Sequence, residues 1–217
     1  MGQQINQYTI DRTTFGENDY YDVDYWDGAT YQTAKIKGSV LKAGVSGIGM
    51  YSQISSSTPL TNTTTETSLF NGATSVGSLT IPANSFSVGD SYHAKIGGFI
   101  SCLINSDITI RVKSGSVILA DTGIIQLPTI TAKAYEIGVD FTIRTIGGSG
   151  IASIITTTQF NYVPNSGSAY NGNNHIQENT STFDTTGSNA LVVTWEWATA
   201  SASNRINSDV VNFRQIY

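Results

Sequence analysis

The chain has 217 residues and a formal net charge of −5, with 12% charged and 39% hydrophobic residues. Its 11 Lys and Arg residues are scattered, which argues against a nucleic-acid-binding surface, because phosphate contacts need clustered cations. The apolar content suffices for one sizeable core, and the single cysteine, Cys102, excludes an internal disulfide.

The first 57 residues differ from the rest in their acidic and aromatic side chains. Four Asp residues alternate irregularly with four aromatic residues there, and a Gly-rich passage follows. We expect residues 1–57 to form an N-terminal arm or attachment segment, and the Ser/Thr-rich segment 55–67 predicts its boundary with a main domain at 58–217. The acidic residues are Asp19, Asp22, Asp24 and Asp27, and the expected attachment residues are Tyr20, Tyr21, Tyr25 and Trp26.

Neither a signal peptide nor a membrane span is predicted. Residues 1–6 lack a basic start and an apolar run, and no stretch approaches about 18 consecutive apolar residues. We therefore expect synthesis in the cytoplasm and no membrane insertion.

The main domain shows alternation of apolar and polar residues in several segments, which is typical of half-buried β-strands. Seven further runs have strand character, and Gly-containing turn signals separate them. Eight to ten strands without a helical period predict an all-β fold, a jelly-roll β-sandwich. The clearest apolar rows are Ile108, Ile110 and Val112, then Tyr135, Ile137, Val139, Phe141 and Ile143, and the runs are 48–55, 76–81, 92–104, 116–120, 151–163, 190–199 and 206–217.

One predicted strand, 92–104, is apolar on both faces, because Phe99 and Leu103 alternate with Ile96 and Ile100. A strand with two apolar faces is usually central in a layered fold or covered by another subunit. Two other strands carry rows of aromatic residues on one face. We predict a trimer interface that uses Phe99, Leu103, Phe160, Tyr162, Trp195 and Trp197.

Catalytic, metal and cofactor sites are not predicted. The two histidines, His93 and His175, are assigned to an exposed strand face and to the polar loop 165–182, and two separated histidines make no zinc site. The acidic residues near position 22 could ligate calcium, but their spacing does not match the twelve-residue calcium loop, so a partner-facing patch is favoured. Glu178 and Asp184 could form a glycosidase pair, although any chain of this length offers such pairs. The Gly-rich segment 147–150 predicts a hairpin turn, since it lacks the lysine and helix of a phosphate loop.

Five sequence blocks of the main domain carry a resemblance to a known module: 64–72, 77–91, 110–115, 139–144 and 182–186. The module they resemble occurs in structural proteins of large DNA viruses and tailed phages, and the resemblance covers residues 58–217. It implies a virion surface, fibre or capsid-decorating protein, with a jelly roll similar to trimeric fibre heads and tumour-necrosis-factor-like domains, and it implies no catalytic residues.

The function expected from these features is that of a homotrimer at the surface of a virus particle, made in the host cytoplasm. Its expected partners are itself, other capsid or virion proteins, and a host-surface glycan or receptor. The alternative is a carbohydrate-binding, lectin-like module that places Tyr170, Trp195 or Trp197 against sugar. A hydrolase is a third class, which the scarcity of catalytic side chains disfavours.

Overall fold

The computed structural model describes residues 20–26, 30–37, 49–165 and 171–217. These residues form fifteen β-strands and no helix, which confirms the prediction of an all-β fold. The chain divides into two compact units, Met1–Ser46 and Gly47–Tyr217.

The first unit contains an antiparallel hairpin of β1 (Tyr20–Trp26) and β2 (Tyr31–Lys37). Its register places Asp22 opposite Lys35, so oppositely charged residues occupy partner positions. The four expected attachment residues, Tyr20, Tyr21, Tyr25 and Trp26, all belong to β1. Their role in attachment stays a prediction, and Asp19 and Asp27 lie outside the described residues.

The second unit is a β-sandwich of two antiparallel sheets, so the coarse fold prediction is confirmed. One sheet has the order β13-β12-β11-β8-β15-β3-β6, with β4 paired to β15. The other has the order β10-β9-β14-β5, with β7 paired to β14. The strands are β3 Gly49–Gln53, β4 Leu60–Thr61, β5 Thr67–Ser68, β6 Ser75–Gly77, β7 Thr80–Ile81, β8 Ser91–Cys102, β9 Ser106–Ser114, β10 Val117–Leu127, β11 Ile130–Thr145, β12 Ser153–Tyr162, β13 Asn171–Asn179, β14 Asn189–Trp197 and β15 Arg205–Gln215.

Two features of the topology define the sandwich. The consecutive strands β8 and β9 lie in different sheets, and so do β14 and β15, so that β8 pairs with β15 in one sheet and β9 with β14 in the other. The strands β11, β12 and β13 instead follow one another as a meander within one sheet. Asn105 makes the sharp connection between β8 and β9 in the left-handed conformation, with a φ of 60°.

The core lies between the two sheets and is formed by the rows that alternation predicted. The predicted apolar rows of β9 and β11 are buried throughout, since one face of each strand is covered by the opposite sheet. Phe141 shows the packing, because its ring stacks on Tyr92 at a centroid distance of 5.0 Å and lies 6.1 Å from Phe213. Strands or strand pairs occur within all seven of the other predicted runs.

The second unit begins before residue 58. Strand β3 pairs with β15, and the buried Gln53 Nε2 donates a 2.9 Å hydrogen bond to the Ser208 carbonyl. The buried hydroxyl of Ser57 accepts from the Ser208 backbone N–H at 2.8 Å, and the Ser208 hydroxyl donates to Gln53 Oε1 at 3.0 Å. The expected boundary at residue 57 rests on the Ser/Thr-rich segment 55–67, whereas in the structure the polar groups of Gln53 and Ser57 bond to the last strand inside the sandwich.

The segment around His175 also differs from its prediction as a loop. Asn171–Asn179 forms β13, an edge strand paired with β12. Its side chains are almost all polar, so alternation gave no signal, but two of them join the sheets: the Asp121 N–H donates to Gln177 Oε1 at 2.9 Å, and Asn179 Nδ2 donates to the Ile118 carbonyl at 2.7 Å. Ile104 is 68% exposed in the turn after β8.

Candidate functional site

Four of the six residues predicted for a trimer interface lie in the core of one chain. Trp195 and Trp197 are each 1% exposed, and Phe160 and Tyr162 are also buried. The rings of Phe160 and Trp195, from opposite sheets, meet edge to face at 5.5 Å. These residues offer no surface to a neighbouring subunit, and the two tryptophans cannot stack on sugar. Tyr170 lies outside the described residues.

The other two predicted interface residues are on the surface. Phe99 is 54% exposed and Leu103 51% exposed. Phe99 lies on the outer face of the larger sheet, opposite Asn207, and the adjacent pair on that face is Gly97 with Val210, which is 47% exposed. A bulge between Ser208 and Val210 permits this arrangement. We call the exposed side chains of Phe99 and Val210 the Phe99 patch. Leu103 and Ile104 lie in the turn that follows β8.

An open pocket of about 440 Å³ lies on the outer face of the same sheet, where β3, β6, β8 and β15 are neighbours. The register aligns its side chains, because Ser52 is opposite Asn212, which in turn is opposite Lys95. Arg214 lies in the next outward row of β15, opposite His93. The pocket therefore combines cationic and amide side chains from strands that are far apart in the sequence.

A hydrogen-bonded pair and an ion pair lie beside the pocket, on the side of β11. His93 Nδ1 is 2.7 Å from Asp140 Oδ1, and Lys95 Nζ is 2.8 Å from Glu136 Oε2. Neither carboxylate lines the pocket. Arg214 makes no side-chain hydrogen bond or ion pair with the part of the chain that the structure describes, so its guanidinium is available to a ligand.

The His93–Asp140 pair was not predicted, and it raises the question of a hydrolytic triad. Ser91 lies two residues from His93 on the same face of β8. Its hydroxyl is 2.8 Å from Thr142 Oγ1 and bonds to the Gly89 carbonyl at 3.1 Å, so its contacts lead away from the imidazole. A nucleophile activated by a base needs a hydrogen bond to that base, and the observed hydrogen bonds of Ser91 do not supply it.

The carboxylates Glu178 and Asp184 were considered as a glycosidase pair, and their surroundings do not support that role. Glu178 is exposed on β13, while Asp184 accepts hydrogen bonds from the Thr186 backbone N–H at 2.7 Å and from the Thr186 hydroxyl at 2.6 Å. These hydrogen bonds lower the pKa of Asp184. An acid with a lowered pKa is poorly suited to protonate a leaving group near neutral pH.

A charge network covers the outer face of the smaller sheet. Arg111 Nε lies 2.7 Å from Asp121 Oδ2, its guanidinium also contacts Glu66 and Glu196, and Lys113 Nζ lies 3.1 Å from Glu66 Oε1. Burial raises the pKa of Glu66, but hydrogen bonds from Thr194 and Lys113 and the charges of Lys113 and Arg111 outweigh it, so the pKa is lowered. All charges in this network are paired, which indicates a stabilising role.

Comparisons with known proteins do not identify these sites. Comparisons with models of protein families, with curated proteins and with solved structures found no match. Within the described ranges, no group of three or more His, Cys, Asp or Glu side chains is placed to hold a metal ion. The described residues also contain no apolar helix of membrane-spanning length. The single cysteine is buried with Sγ 3.2 Å from the Pro128 carbonyl oxygen, and burial raises its pKa to about 11.

Proposed function

We propose that this chain is a structural protein of a virus particle, a homotrimer at the particle surface that decorates the capsid, caps a vertex or forms a fibre tip. Its partners are then other virion proteins, and its exposed loops meet the host. The β-sandwich of the second unit supports the proposal, as does the resemblance of residues 58–217 to virion modules of jelly-roll type. The protein is made in the host cytoplasm and works in the virion, without catalysis.

The observation that carries the proposal is the exposed Phe99 patch. Phe99 and Val210 lie on the outer face of a sheet whose inner face already packs against the other sheet. Exposed apolar surface of this kind is stabilised by contact with a partner, at about 25 cal/mol per Å² buried. In a threefold arrangement, each subunit covers such a face against its neighbours.

The test is the mass of the native protein in solution. At low micromolar concentration, sedimentation should give a species of about three times the chain mass of 23.2 kDa. Antibodies raised against the protein should also label the outside of intact particles released by cells that carry the gene in its natural genome. A monomer would contradict the assembly, and particles free of the protein would contradict the virion role.

The alternative function is a carbohydrate-binding, lectin-like module. The pocket of about 440 Å³ with amide and cationic side chains favours it, because sugar sites use hydrogen-bonding groups in a shallow concave surface. The two functions are compatible in one attachment protein. A monomer that binds sugar would favour the module, whereas a trimer would favour the virion protein.

A further inference from the structure

We propose that the pocket between β3, β6, β8 and β15 binds a sugar that carries a carboxylate, and that Arg214 receives the carboxylate. The identification of this sugar with a host-surface glycan rests on the proposed function, since a particle-surface protein meets such glycans. The features of the pocket by themselves support the binding.

The size and walls of the pocket suit one or two sugar rings. Its volume of about 440 Å³ falls within the range of about 300–1,000 Å³ that is usual for small-molecule sites. One wall depends on Gly77, whose φ is 81° and where a β-carbon would lie 2.1 Å from the Met50 carbonyl oxygen. Only glycine permits this approach of β6 to β3, which brings Val76 and Met50 to the pocket as an apolar surface for the carbon face of a ring.

The charge of the pocket favours an anion. The described residues that line it include the cations Lys95 and Arg214 and no carboxylate. The charge of Lys95 is already paired with Glu136, whereas Arg214 has no carboxylate partner among the described residues. A guanidinium binds a carboxylate through two parallel N–H···O bonds, which makes it more selective for this planar anion than an ammonium group.

The other polar side chains of the pocket can form hydrogen bonds with the hydroxyl groups of a sugar. Ser52 Oγ donates to Asn212 Oδ1 at 3.2 Å, which directs the amide orientation and leaves the Asn212 NH₂ group as a donor. Asn212 and Arg214 both lie on the outer face of β15, separated by one residue, so a donor for a hydroxyl stands beside the proposed carboxylate site. A sugar acid presents both groups on one ring, whereas a simple carboxylate presents only one.

The experiment is a calorimetric and ligand-observed NMR titration of the full chain with N-acetylneuraminic acid and glucuronic acid, with glucose and acetate as reference probes. Sugar acids should bind, and Arg214→Gln should weaken their binding roughly tenfold or more, because a charge-assisted pair is lost. Arg205→Gln is the matched control, since Arg205 is exposed on the same strand outside the pocket, and it should change the affinity less than twofold.

Several results would overturn the inference. These are the absence of sugar-acid binding, equal binding to the Arg214→Gln protein, or equal affinity for glucose or acetate. The mass of the same samples separates this inference from the proposed function. A trimer that binds no sugar acid overturns the site alone, while a monomer that binds a sugar acid overturns the proposed trimer and retains the site.

Discussion

Gly98 of β8 lies so close to the backbone of Asn207 in β15 that a β-carbon at position 98 would be 2.0 Å from the Asn207 carbonyl oxygen. The close approach occurs where the bulge in β15 shifts the register after Ser208. Gly98→Ala should therefore force the two strands apart and lower the free energy of unfolding by about 1–3 kcal/mol or more. Urea denaturation measures the change. At the neighbouring Gly97, an added β-carbon meets its nearest atom at 3.6 Å, so Gly97→Ala should stay within about 0.5 kcal/mol, and equal effects of the two would contradict the explanation.

The start of the second unit can be tested by truncation. A chain of residues 47–217 retains β3 and the hydrogen bonds of Gln53 and Ser57 to Ser208, whereas 58–217 loses them. Each buried polar group left unpaired costs about 1–3 kcal/mol, so the shorter chain should be less stable by several such contributions or fail to fold. Circular dichroism and urea denaturation of both chains provide the measurement. Equal stability would restore the boundary near residue 57.

Phe141 tests the packing of the core. Its ring is buried and stacked on Tyr92, so Phe141→Ala should lower the free energy of unfolding by about 3–5 kcal/mol. Ile124→Ala, at an exposed position, should change it by no more than about 0.5 kcal/mol. Thermal and urea unfolding of the two variants give the comparison. A small loss for Phe141→Ala would mean that the sheets pack differently.

Formation of the trimer should depend on the Phe99 patch. Phe99→Asp places a charge in the proposed interface, so the trimer should dissociate while the β-type circular dichroism spectrum remains. Ile124→Asp is the control, because it adds the same charge at an exposed apolar position on the other sheet. Sedimentation of both variants makes the test. If the Phe99→Asp protein remained a trimer, the interface would have to lie on another face.

Glu66 should make stability depend on pH. Its pKa in the folded protein is below the ordinary value of 4.5, so its ionised form stabilises the fold above that pH, and this contribution is lost as the pH falls through the folded pKa. Glu66→Gln should destabilise the protein at neutral pH and flatten the decline of stability between neutral and acid pH. Unfolding at a series of pH values tests this. Glu136→Gln removes a half-exposed ion pair and should cost no more than about 1 kcal/mol at neutral pH. If the Glu66→Gln protein lost stability with falling pH as steeply as the unmodified protein, other groups would be responsible for the pH dependence.

Local alternation was sufficient to predict β9 and β11 with their buried residues, because side chains of a strand point to opposite faces and only one face of each is covered. It failed for β13, where both faces are polar and the strand is held by pairing with β12 and by side chains that reach β10. Composition alone also did not reveal that Gln53 and Ser57 bond to Ser208, since a Ser/Thr-rich segment has the same composition whether it forms a linker or bonds to a strand.

The sequence by itself determined that the chain folds as β-strands and that several strand faces are apolar. Only the tertiary structure decided which apolar faces meet each other within one chain, as Trp195 and Phe160 do, and which stay outside, as Phe99 does. It also brought Ser52, Lys95 and Arg214 to one pocket from three strands. The physical reason is that alternation reports the two faces of one strand, whereas coverage of a face and the neighbours of a side chain depend on contacts between residues far apart in the chain.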